Sequence, residues 1–222
     1  MRLPQQRSSV LALAGAIQPI WFLGAVALFG ALRAGYNANH AGSELGQQGS
    51  DYATAFNLVA FGGGALLYGL FAIAVATFFG RGWLLWLTLG QTTTMGGAGV
   101  FSCDPGCPQV MVTPVGWGHT AFGLTYFVVL VLLPGFAARE FRRRPEWRSF
   151  TGTSVLTCLA LVLLFLLGPT LFGATHIGLW QRLTLVIAGA WAIVVALRLY
   201  RVLRQQEDSR RSDAVLSRAV VH

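Results

Sequence analysis

Six long stretches of this chain contain no Asp, Glu, Lys or Arg: 8–32, 52–80, 82–103, 105–138, 149–181 and 183–197. A helix that crosses a bilayer needs about 20 consecutive, mostly apolar residues, because each residue advances it only ~1.5 Å through a hydrocarbon layer roughly 30 Å thick. Five stretches meet that length directly. The sixth meets it if Arg198 and Arg201 extend their charged ends to the interface. The sequence therefore predicts an all-α bundle of six transmembrane helices over about 10–33, 54–79, 82–101, 115–138, 151–173 and 183–203. A short N-terminus (1–9) precedes this 10–203 membrane domain, and a basic tail (204–222) follows it. Only 11% of the residues are charged, against roughly 25% in an ordinary soluble domain, which excludes a water-soluble globule.

The net charge is +8, and all sixteen basic residues are arginine. Their positions show what the charge is for. Arg2, Arg7, Arg81, Arg139, Arg142, Arg143, Arg144, Arg148, Arg198, Arg201, Arg204, Arg210, Arg211 and Arg218 fall on one side of the predicted membrane, and only Arg33 and Arg182 on the other. Basic loops stay in the cytoplasm, so both termini are expected to be cytoplasmic in a multi-pass protein of the cell membrane. No nucleic-acid-binding motif surrounds the arginines, and nucleic acid is not an expected partner. The apolar run after Arg7 is too long for a signal-peptide core and reads as an uncleaved first span.

Polar residues concentrate at the outward helix ends and loops: Glu44, Asn57, Asp104, His119, His176 and Arg182. Ionisable groups at membrane depth are costly and point to function; equally, Arg182 could pair with Asp104 or Glu44 and merely tie loops together. Cys103-Asp104-Pro105-Gly106-Cys107 places a turn dipeptide between two cysteines on the side where disulfides persist. A disulfide is favoured, with a metal pair as the alternative; zinc knuckles use two such pairs and only one is present. His40, His119 and His176, with Glu44 and Asp104, are ordinary zinc-ligand types, but no HxxxH or HExxH spacing fixes two on one helix face. No cofactor is predicted, and zinc is kept as a lesser alternative. His119 is expected to hydrogen-bond Asn57, Asp104 or a lipid head group. Pro19, Pro134 and Pro169 should bend their helices and open crevices. The glycines near 62–69 and 90–99 should let the second and third spans approach closely. Thr92, Thr93 and Thr94 should bond their own helix backbone or a neighbouring helix.

Ser43-Glu44-Leu45-Gly46 and Phe56-Asn57 with the glycines after it resemble the first motif block of domain-of-unknown-function family 998. Gly99 to Pro108 followed by Gly118-His119 resembles its most distinctive block, and Gly178-Leu179-Trp180-Gln181-Arg182 its last. The resemblance runs over roughly residues 10–203 and implies a six- or seven-span membrane protein whose motif residues correspond to Glu44, Asn57, Asp104, His119 and Arg182. A more distant similarity to the Frag1/DRAM/Sfk1 group implies a link to lipid organisation.

The expected function is binding of a lipid head group or similar anionic ligand in an outward polar pocket of Glu44, Asn57, Asp104, His119, His176 and Arg182. Arg182 would grip the anion in a bidentate fork, and membrane lipids are the expected partners. One alternative is a membrane-embedded lipid-modifying hydrolase or transferase, with His119 as acid/base and Asp104 or Glu44 as its partner. A small-molecule transporter is the second alternative.

Overall fold

The computed structural model describes residues 8–107 and 110–219. Arg2 and Arg7 lie outside them, as does Pro108 of the cysteine block. Six long helices carry the chain: α1 (Ser8–Leu32), α2 (Ala53–Phe79), α3 (Trp83–Val100), α4 (Pro114–Arg142), α5 (Ser149–Phe172) and α6 (Ile177–Ala219). No strand occurs among the described residues. Each helix packs on its neighbour in sequence, and α6 closes the ring against α1. Two ends result. The cysteine end carries the loops around 33–52, 101–113 and 173–176. The arginine end carries the links around 80–82 and 143–148 and the extension of α6.

Except for α3, these helices are long and apolar enough to cross a membrane. α3 falls short of the same measure because Gln91 and the run Thr92–Thr94 interrupt its apolar sequence. It is instead held between α2 and α4. The direction of burial confirms what surrounds the bundle. On α5 only Ser154, Leu161 and Gly168 are buried, one narrow stripe at seven-residue spacing, while Leu156, Leu159, Leu163, Leu166, Leu167 and Leu171 face outward. Such a leucine surface would be untenable in water and is the ordinary exterior of a helix in lipid. The chain is an integral membrane protein.

Small residues set the helix spacing. Gly64 lies against Met95, Gly96 against Ala65 and Gly99 against Phe61, so α2 and α3 approach through their glycines as expected. The same set also serves other neighbours, with Gly97 under Phe122 of α4 and Gly63 under Trp21 of α1. The hydroxyls of Thr88, Thr92, Thr93 and Thr94 donate to carbonyls one turn back at 2.7–3.1 Å, the usual way such a group is satisfied within a bilayer.

The helix ends depart from the sequence expectation mainly in α6, which starts at Ile177 and continues through the expected tail to Ala219. Residues 204–219 contain neither glycine nor proline to stop it. Within that extension Glu207 is buried and accepts a hydrogen bond from Ser9 Oγ at 3.0 Å, tying the start of α1 to α6. The arginine end is sealed by Trp147, fully buried and stacked on Phe141 with centroids 4.6 Å apart.

Candidate functional site

The first loop folds back across the cysteine end because its polar groups find partners there. Glu44 sits in a 3-10 turn, Gly42–Gly46. One of its carboxylate oxygens pairs with His40 Nδ1 at 2.8 Å and the other accepts the Ala41 N–H at 2.8 Å. Arg33 Nη1 donates to the Glu44 carbonyl. Arg182, at the start of α6, reaches up into this loop. Its Nη1 donates to the Ala38 and His40 carbonyls at 2.7 and 2.8 Å, its Nη2 to the Tyr36 hydroxyl at 2.7 Å, and its guanidinium lies over the Tyr36 ring at 5.6 Å. Burial pushes the Tyr36 hydroxyl above its ordinary pKa, and Arg182 pulls against that shift. Behind Arg182, Gly178 has no room for a side chain, because a Cβ there would meet the His40 carbonyl.

Asp104 organises the second loop. Its carboxylate accepts from the Val112 N–H (2.7 Å), the Thr113 N–H (2.9 Å), the Thr113 hydroxyl (2.6 Å) and Gln48 Nε2 (3.0 Å). The two Thr113 bonds, more than the others, hold this carboxyl below its ordinary pKa, against the opposing effect of burial. Thr113 in turn caps α4 by accepting the Gly116 N–H, with Pro114 at the first helical position. The Gln48 N–H donates to the Cys103 carbonyl at 2.8 Å, which stitches the first loop to the second. Cys103 and Cys107 are joined in a disulfide, and both are buried. Asn57 sits in a π-helical turn, Asn57–Gly62. It donates to the Gly46 carbonyl and to Ser102 Oγ, each at 3.1 Å.

Beneath this lid lies a cavity of about 280 Å³ to which all six helices contribute. Phe22, Phe61, Met95, Leu124, Phe127 and Trp180 make much of its apolar wall. Trp180 is fixed by stacking on Phe127 (centroids 5.4 Å) and by donating to the Leu164 carbonyl at 2.8 Å. Pro169, expected to open a crevice, is on the lining, as is Gly123, whose Cβ position faces open space. His119 is also on this wall. Its Nδ1 lies 2.8 Å from the Ala98 carbonyl and 2.7 Å from the Phe101 carbonyl. Carbonyls only accept, so Nδ1 carries the hydrogen, and in the neutral ring Nε2 carries the lone pair. Nε2 has no partner among the described residues.

The six predicted ligand residues thus separate. His119 lines the cavity; Glu44, Asn57, Asp104, His176 and Arg182 do not. Glu44 and Arg182 join one loop network without touching each other, because backbone carbonyls lie nearer to the guanidinium than either expected acid does. Asp104 and Asn57 are linked to the first loop through Gln48 and Gly46. His176 is exposed, with Nδ1 2.9 Å from Thr175 Oγ1. The expected His119 bonds to Asn57 or Asp104 are replaced by bonds to the end of α3. Cys103, Cys107 and His119 bring their ligand atoms within 4.8 Å of one another, a set of zinc-ligand types, but the two sulfurs are bonded to each other. Sequence reasoning left Tyr36, Gln48 and Thr113 out of the cluster. Only Thr113 carried a signal, a threonine directly before a helix-starting proline.

No curated protein and no solved structure matches the chain. A family model, described as "Protein of unknown function (DUF998)", matches residues 16–198. That match takes in all of the cavity lining and every residue of the lid networks, and the chain belongs to this family.

Proposed function

We propose that this protein binds a lipid, or another apolar molecule drawn from the membrane, in the cavity beneath its cysteine-end lid. The observation that carries this reading is the lining itself: a mostly apolar chamber with several aromatic walls, within a lipid-facing bundle and close to the size at which small-molecule sites begin. In this reading α3 crosses the bilayer as a sixth span. The arginine end faces the cytoplasm by the excess of basic residues there, and the lid faces outward. An anionic head group held by Arg182 has less support, because that guanidinium is already engaged by Tyr36, Ala38 and His40. The hydrolase or transferase reading has His119 on the cavity wall in its favour, but no carboxylate orients that histidine. Asp104 and Glu44 are both committed to the lid.

Gly123→Leu tests the proposal. The new side chain would enter the empty space, and the exchange favours the helix locally. The expected result in native mass spectrometry is folded protein whose lipid retention falls about tenfold or more, on the scale of the affinity lost when a site is filled. Unchanged retention would place the bound lipid elsewhere and refute the proposal.

A further inference from the structure

The polar side chains on the cavity wall constrain the ligand's chemistry. Besides Tyr126, whose hydroxyl lies 3.4 Å from that of Tyr68, they are Ser43, His119, Thr120 and Gln181. No Asp, Glu, Lys or Arg lines the cavity among the described residues. His119 offers an accepting Nε2. Ser43 Oγ lies 3.4 Å from Cys107 Sγ. A disulfide sulfur has no hydrogen, so the serine donates there and only its lone pairs remain. Gln181 Oε1 accepts the Gly42 N–H at 2.6 Å, which orients the carboxamide and leaves its two Nε2 hydrogens for another acceptor. The wall therefore offers acceptors at His119 and Ser43, a neutral donor at Gln181 and the Thr120 hydroxyl, which can do either, with no Asp, Glu, Lys or Arg among them.

We infer that the ligand is an uncharged, hydroxyl-bearing lipid. Its hydroxyl donates to His119 Nε2, and the Gln181 amide donates to the same oxygen or to a neighbouring carbonyl. An anionic head group would meet lone pairs at His119 and Ser43 without a cation to balance it. A purely apolar molecule would leave these polar groups unpaired, a penalty that sites built to hydrogen-bond a hydroxyl turn into discrimination. This inference rests on the reading of the cavity as a lipid site.

The test is calorimetric titration of the full chain in amphipol with three probes sharing one chain length: 1-dodecanol, dodecyl methyl ether and, at pH 8, dodecanoate. Dodecanol is expected to bind about tenfold more tightly than either of the others, the factor one well-placed hydrogen bond supplies. The preference should shrink to within about twofold in His119→Phe, which removes the acceptor. Binding of all three probes should weaken about tenfold or more in Gly123→Leu. Equal binding of alcohol and ether would overturn the hydroxyl inference and leave the lipid site standing. Tightest binding of dodecanoate would overturn it in favour of an anionic ligand. Binding of none of the three, or binding insensitive to Gly123→Leu, would overturn the lipid site itself. A second measurement does not depend on a variant folding. Histidine ¹⁵N spectra of the unaltered protein should show His119 protonated at Nδ1 and bare at Nε2; a proton on Nε2 would overturn the inference.

Discussion

The two ends of the bundle use polar side chains in opposite ways. At the cysteine end, Arg33, Arg182, Glu44, Asn57 and Asp104 bind backbone carbonyls and N–H groups of the loops, most of them within about a dozen positions and Arg182 across more than 140. At the arginine end the ion pairs of Arg143 and Arg144 with Glu140 and of Arg204 with Asp208 are local and near the surface, while the buried Glu207 and the half-buried Arg198 each make a longer-range hydrogen bond, to Ser9 and to the Glu146 carbonyl. There the closing element is aromatic: Trp147 stacks on Phe141 and meets Phe79 and Phe150 at a tilt. One end is thus a polar lid over a chamber, the other an apolar plug flanked by charge. A residue's partners, more than its type, decide whether it builds a lid or marks an interface.

The comparison breaks most readily at Gly178. Gly178→Ala would drive a Cβ into the backbone carbonyl of His40, which cannot rotate away, and would force Arg182 and its loop apart. The cost should be about 3 kcal/mol, the upper end for overpacking. It would appear as lost thermal stability and as protease cleavage within 33–52. A wild-type melting curve would mean that the lid does not rest on α6.

Reducing the Cys103–Cys107 disulfide should cost about 2 kcal/mol by loop-closure entropy for so short a ring. Hydrogen exchange should rise in the cysteine-end loops and stay unchanged around Trp147. A uniform rise would erase the distinction between the ends. Arg144→Ala sharpens the other side of the comparison. It removes the pair with Glu140 and the guanidinium over the Phe78 and Phe79 rings. Because that group is partly exposed, about 1 kcal/mol or less is expected, with the cysteine-end loops unaffected.

The pH response should divide the ends more gently. The folded Asp104 pKa lies below the unfolded value of about 3.9. Its contribution to stability is therefore complete above that unfolded value and is lost as pH falls through the lower folded one. Lid protection followed by hydrogen exchange should hold from neutrality to about pH 4 and decline below it. Asp104→Asn should flatten that decline, and a lid that loosens already at pH 6 would contradict the assignment.

Much of the architecture is legible in the sequence. Long uncharged runs can satisfy their backbone only as helices in lipid. The Pro-Gly turn brings Cys103 and Cys107 together by local geometry. The threonines of α3 bond one turn back because their nearest acceptors are in their own helix. The same residues that resemble the family's blocks also carry the lid, which is why the motif reading found Glu44, Asn57, Asp104 and Arg182. Their partners were not legible. Arg182 reaches carbonyls about 140 positions earlier, and carbonyls carry no residue-type signature.

Sequence alone determined the medium, the helices and the short-range cysteine pairing, because hydrophobic length and local turn chemistry act over a few residues. Only the tertiary structure decided that α6 closes the ring on α1, that Asp104 and Arg182 serve separate networks, and that His119 stands apart from them on an apolar chamber. Those outcomes depend on which backbone groups come within about 3 Å once the helices pack, and helix packing follows shape and small residues spread over the whole chain.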